Sequence, residues 1–239
     1  MKKSEIKIDK EHLPRYYFLY MDLHEQLKEI KTQLRLSMNG VASQSMREKG
    51  LNYKLNFGVE LPRIKAIAAQ FEQEHLLAQA LWKENIRECK ILATMLQPAD
   101  SFLPEIADIW IDAIPTIEIA EYLCMNLLQH LPYAPSFAFR LIAEERPYAQ
   151  VCGYLTIARL LQKKGDMSDR VANEFVDQAM AAFLSDDYHV RNAVSVALRC
   201  YANHSQDHAY HLCRSVEKYK ETTSEAEQLL YSYVVSLVD

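Results

Sequence analysis

The chain has 239 residues, with 5 glycines, 8 prolines and a formal net charge of −5. That length can bury a sizeable core, the scarcity of Gly and Pro favours helix, and the acidic balance argues against a surface that is basic throughout, the usual signature of a nucleic-acid binder. The basic opening MKKSEIKIDK leads into no apolar run of roughly 7–15 residues, and nothing approaches the ~18 apolar residues of a membrane span, so a cytoplasmic chain without a membrane partner is expected. Five cysteines, an odd number with no CxxC, read as reduced thiols.

Residues 1–10 are charged and read as loose. From about Glu11 to Leu36, Leu13, Tyr17, Tyr20, Leu23, Leu27, Ile30 and Leu34 recur at helical spacing. Residues 37–56 read as a loop with a short helix around Ser43 to Glu48. Pro62 suits a first helical turn, and Ile64, Ile67, Ala68 and Phe71 mark one helix face. Leu76, Leu77, Ala80, Leu81 and Trp82 mark a second helix, and Ile86, Cys89, Leu92, Ala93 and Leu96 a third. Beyond Gln97–Asp100, Ser101 is placed to cap the next helix, Thr116 the one after Pro115, Pro147 to open another, and Ser168 to cap its successor. Ser185–Asp187 and Asn203–Ser205 punctuate further, and Ser224 with Glu227 spells a capping box for the last helix. No stretch alternates with period two. The pattern is a helix pair repeated every ~30–40 residues. It predicts an all-α protein, a curved α-solenoid of HEAT-like helix pairs forming a single domain over 1–239.

Two stretches carry a resemblance. Phe57 to Ala68 reads F-G-V-x-x-P-x-I-K-x-I-A, and Leu81 to Ala93 reads L-W-x-x-x-I-R-E-x-K-I-L-A. The pair resembles the opening of the DNA alkylation repair family, HEAT-like-repeat proteins whose active members are DNA glycosylases of the AlkD type. The likeness covers about Met46 to Arg199. It implies duplex DNA, damaged DNA included, as the partner, with no cofactor and no metal. It also implies a catalytic pattern, W-D-x-x-D, at the start of a helix. There the aromatic ring and second carboxylate serve an alkylated, positively charged base, and a carboxylate beside the sugar stabilises an oxocarbenium-like transition state. Aligned on Tyr122–Leu127, the family's Trp falls on Ile117, its neighbouring Asp on Glu118 and its catalytic Asp on Glu121. The family's Arg falls on Val151 and its second Trp on Val196. Aliphatics replace three of four side chains. The resemblance therefore implies DNA binding more strongly than excision of N3- or N7-alkylpurines, with Glu121 and Glu118 as the candidate catalytic carboxylates.

Basic residues offer a phosphate-binding face on the concave side: Arg140, Arg146, Arg159, Lys163, Lys164, Arg191 and Arg199, with Arg191 and Arg199 on either side of the altered Trp position. The competing expectation is a solvated charged surface, because Glu144, Glu145, Asp166, Asp186 and Asp187 are interspersed. Val151, Val196 and Ile117 would make the altered site drier and better suited to apolar packing, which favours a protein–protein scaffold as the alternative function. Cys200, His204, His208, His211 and Cys213 have spacing that a metal could use on one continuous helix. The Asn203–Ser205 joint breaks that helix, so no metal is expected. Trp82 and Trp110 fall in apolar helical patterns and read as core. No glycine-rich phosphate loop, Ser/His/Asp signature or zinc-finger spacing is present.

Overall fold

The computed structural model describes residues 15–51, 53–163 and 165–238. The stretch expected to be loose, 1–10, lies outside them. Among the described residues every regular element is helical, and the one extended pairing is an isolated bridge between Leu55 and Ile86. The contacts gather into two compact units, Met1–Leu96 and Gln97–Asp239.

The first unit comprises α1 (Arg15–Leu36), α2 (Gly40–Glu48), α3 (Leu61–Ala68), α4 (His75–Lys83) and α5 (Arg87–Leu96). Helix α5 packs on α4 and α3, and α1 on α4. Nine of the ten α5 residues are buried, so the helix is enclosed on nearly every side. Ile30, Leu34, Ile64, Ile67, Leu77 and Leu81 supply the facing apolar stripes. Each such burial is worth roughly 1.5–3 kcal/mol.

The quoted motifs explain how this unit is pinned. The Glu88 side chain is fully buried and accepts from the backbone N–H groups of Phe57 and Val59, each at 3.2 Å. Arg87 Nη1 lies 3.2 Å from both Glu88 Oε1 and the Val59 carbonyl. Between the two amides, Gly58 has φ +69 and donates to Asn56 Oδ1 at 2.7 Å. A Cβ on Gly58 would sit 2.2 Å from the Asn39 carbonyl oxygen, so both the conformation and the space require glycine. A buried carboxylate thus holds the turn in place. Lys90, whose Nζ lies 4.5 Å over the Trp82 ring, donates to the Trp82 carbonyl at 2.8 Å. Burial lowers the Lys90 pKa from the ordinary lysine value.

The second unit runs through α6 (Pro104–Asp112), α7 (Ile117–Asn126), α8 (Ala134–Ile142), α9 (Pro147–Gln162), α10 (Asp169–Phe183), α11 (Tyr188–Ala202), α12 (Gln206–Val216) and α13 (Glu225–Val235). Helix α9 is the centre, packed on α8, α7, α6 and α11; α11 in turn packs on α10 and α12. The α8–α9 approach is close because Gly153 permits it. A Cβ there would lie 2.5 Å from Ile142 Cγ2 and 2.9 Å from the Ala138 carbonyl. Trp110 is fully buried, edge-on to Phe102 at 4.9 Å, and Trp82 is buried as well, so both tryptophans are core residues.

Four caps differ from the sequence reading: Thr116 and Ser168 stand at the N-cap positions of α7 and α10 without a side-chain cap bond. Ser101 does not cap α6. It closes a 3-10 turn, Ala99–Ser101, with its Oγ 3.3 Å from the Pro98 carbonyl, and α6 starts only at Pro104 after Leu103. The capping box at α13 does not form either. Glu227 accepts from the Thr222 hydroxyl instead, and Thr222 Oγ1 accepts from Ser224 N at 3.2 Å, because the turn before α13 brings Thr222 within reach first. Asp187 and Ser205 do cap: Asp187 Oδ1 accepts from His189 N at 2.7 Å and Val190 N at 3.1 Å, and Ser205 Oγ from His208 N at 3.1 Å. All five cysteines remain thiols, with Cys89, Cys124 and Cys152 buried and Cys200 and Cys213 partly so.

Candidate functional site

Thr116 occupies the N-cap position of α7. Glu118 and Glu121 follow one turn apart, on the side of α7 away from the buried Ile119, Ala120, Leu123 and Cys124. The dipole of a helix N-terminus favours carboxylates in this turn. Packing brings further charges toward them. Burial and the neighbouring Glu118 push the Glu121 carboxyl above the ordinary glutamate range, while Arg159 of α9 and His189 of α11 pull it back. Glu121 nonetheless keeps an open path to solvent. The arrangement is thus two carboxylates on one helix, faced by a guanidinium and an imidazole from two others. It can hold an anionic oxygen near Arg159.

His189 was not singled out in the sequence. Its backbone is fixed by the Asp187 cap, and its ring meets Tyr188 edge-on at 5.8 Å. The Ser185–Asp187 punctuation marked the helix start, but nothing local relates its first turn to α7.

The three aliphatic replacements do not share one environment. Ile117 and Val196 are partly exposed, whereas Val151 is fully buried. The expectation that all three dry one surface is therefore corrected: Val151 belongs to the core of α9, on the stripe with Cys152 and Tyr154, and presents nothing to a ligand.

The basic candidates also divide. Arg159 is half-buried beside Glu121. Lys163 is exposed, with Nζ 3.4 Å from His130 Nδ1. Burial and that ammonium both hold His130 below the usual imidazole pKa. Arg191 is committed elsewhere: its Nη1 donates to the Ser185 carbonyl at 2.6 Å, tying α11 back to the joint before it. Arg199 is exposed, and its charge acts on Tyr233 of α13. Lys164 lies outside the described residues. Arg140 and Arg146 are neutralised. Arg140 makes a bidentate contact to Asp108 at 2.9 Å and another to Glu144, while Arg146 pairs with Asp112 and Glu144. These carboxylates withdraw both arginines from the phosphate-binding face on which the sequence placed them.

The Cys200–Cys213 cluster does not assemble as a metal set. Helix α11 ends at Ala202 and α12 begins at Gln206, so the joint separates the spacing. Among the described residues no three His, Cys, Asp or Glu groups are gathered in a metal-holding arrangement. No helix among them is long and apolar enough to cross a membrane.

A family model described as DNA alkylation repair enzyme matches residues 30–225. Among solved structures, the chain is similar to a protein described as belonging to "a new family of proteins related to the HEAT-like repeat DNA glycosylases with affinity for branched DNA structures". The TM-score is 0.73 at 14% identity, over 88% of this chain and 94% of that one. No curated protein matches.

Proposed function

This chain belongs to the DNA alkylation repair enzyme family, with an all-α, HEAT-like fold, and on that premise we propose that it binds duplex DNA through the α9–α11 face of its second unit without excising alkylated bases efficiently. The observation that carries the reading is that Arg159 of α9 lies close enough to Glu121 to act on its carboxyl and makes no ion pair with it. Its guanidinium can meet a phosphate or a sugar oxygen, and exposed Lys163 extends the positive character along the end of α9.

The same placement argues against efficient excision. An oxocarbenium-like transition state calls for an ionised carboxylate, and burial, then Glu118, raise the Glu121 pKa above the ordinary glutamate value, which disfavours that charge without removing it. Partly exposed Ile117 and Val196 offer no aromatic face for a cationic base. The solved relative's affinity for branched DNA makes junctions a substrate worth testing beside the linear duplex.

The test is binding to linear, N-methylpurine-containing and four-way-branched duplexes over a salt series, with base release followed in parallel, for wild type and Glu121→Gln. Salt-sensitive binding without base release is expected. Base release abolished by Glu121→Gln would show a working glycosylase and overturn the second half of the proposal. Absence of any salt-sensitive binding would overturn the first.

A protein-binding scaffold is the second reading. Leu36 is 83% exposed and Val41 82%, both in the first unit, and Met38 lies between them with most of its surface open. If no DNA is bound, this patch becomes the place to look for a partner.

A further inference from the structure

Away from the carboxylate pair, the second unit holds a cleft of about 570 Å³, formed by the α9–α10 joint, the first turns of α10, the end of α11 and α12. Asp166, Asp169, Asp207, His204, His208 and His211 line it, with Tyr201 at its wall, and no Lys or Arg is among the lining residues that the structure describes. The rings form a flat stack. His204 and His208 lie 5.0 Å apart at 26°, and His208 and Tyr201 lie 4.3 Å apart at 21°. Buried Phe175 backs Tyr201 at 5.3 Å.

The protons can be placed. Burial and Asp169 push the Tyr201 hydroxyl up to about 12, so it keeps its proton, and it shares a hydrogen bond with His211 Nδ1 at 2.7 Å. His204 Nδ1 lies 3.3 Å from the Leu161 carbonyl, an acceptor only, and therefore carries hydrogen. Burial, then His204 and His211, lower His208, against the raising effect of Asp166 and Asp207. The wall is a stack of aromatic rings and the rim carries the side chains of Asp166, Asp169 and Asp207.

We propose that this cleft binds a guanidinium group, the planar cation of arginine. Tyr201 is fully buried beneath His208, so a flat cation lies on the outer imidazole face of the stack, at His204, and its forked N–H donors meet the rim carboxylates. An ammonium, a compact and strongly hydrated point charge, gains less from a flat ring stack than the planar guanidinium does. The histidines add a proton dependence. Protonating His208 places like charge beside the bound cation, opposed by Asp166 and Asp207, so affinity falls as pH drops. Free arginine and an arginine residue in a peptide share this chemistry.

The experiment is calorimetric titration of the full chain with free arginine, with N-acetylarginine methylamide and with the matching lysine derivative, read alongside imidazole ¹H–¹⁵N resonances. Arginine should shift the His204, His208 and His211 resonances. Asp169→Asn and Asp207→Asn, both at exposed positions and so expected to leave the fold intact, should each weaken binding about tenfold, the value of one charge-assisted hydrogen bond. Binding should also weaken from about pH 7.5 to about pH 5.5. Equal affinity for the blocked and free forms assigns the site to peptide arginine; preference for free arginine assigns it to the small molecule. Lysine binding as tightly as arginine, unmoved imidazole resonances, or Asn variants equal to wild type each overturn the proposal.

Discussion

Glu121 is a carboxyl whose folded environment favours the protonated form, burial first and Glu118 second. The native state therefore holds its proton to higher pH than the unfolded chain, and stability contributed at this position declines as pH rises above the ordinary glutamate range. Glu121→Gln should melt higher than wild type at neutral pH, and the two melting curves should converge near pH ~4, where the unfolded chain is also protonated. Melts across pH check this; a Gln variant that melts lower at neutral pH would show that Arg159 and His189 outweigh burial. Gly58 carries a prediction of the opposite kind. Gly58→Ala places a Cβ 2.2 Å from the Asn39 carbonyl oxygen at φ +69. Overpacking and left-handed strain together should cost about 2–4 kcal/mol in denaturant unfolding. A loss below half a kcal/mol would mean that the turn relaxes freely.

Two helices show how local chemistry positions distant groups. Helix α5 presents Glu88 to the backbone of the Phe57–Val59 turn, so one buried carboxylate joins two segments of sequence. Glu88→Ala removes the acceptor for both amides and should cost about 3–5 kcal/mol, as breaking a buried charged network does. Glu88→Gln, which keeps one acceptor oxygen, should cost less; a loss equal to that of Glu88→Ala would mean that the charge, not the neutral acceptor, holds the turn. Helix α11 starts at Asp187, whose side chain accepts from two amides, and this first turn carries His189 and Arg191. Asp187→Ala should cost about 1 kcal/mol, the usual worth of such a cap. Because His189 faces Glu121, the same variant should also shift the pH midpoint of Glu121, readable as a side-chain ¹³C titration.

For the whole molecule, net charge and local charge point in different directions. The formal charge is −5, and two of the arginines that a DNA face could have used are engaged by Asp108, Asp112 and Glu144. Arg159 and Lys163 remain as the basic pair at the end of α9. If they contact phosphates, Arg159→Gln and Lys163→Gln should each reduce the slope of log Kobs against log salt by about 1 and weaken binding similarly across DNA sequences. Unchanged slopes in both variants would place the DNA contact elsewhere on the chain. Arg140→Gln and Arg146→Gln should leave the slope alone, because their charges are already satisfied within the protein.

The sequence by itself determined the helical class, the position of most joints and the family. Apolar spacing and proline or capping residues are local signals, and they survive without knowledge of the fold. The F-G-V and R-E motifs were legible as a pattern, but the reason for them, a buried carboxylate gripping a left-handed glycine turn, needed the tertiary structure. So did the division into two units, the burial of Val151, the neutralisation of Arg140 and Arg146, and the meeting of His189 with Glu121. Each of these depends on which side chains from separated helices approach one another. A carboxylate four residues or thirty residues away reads alike in sequence, yet only the one brought within hydrogen-bonding distance cancels a charge or moves a proton.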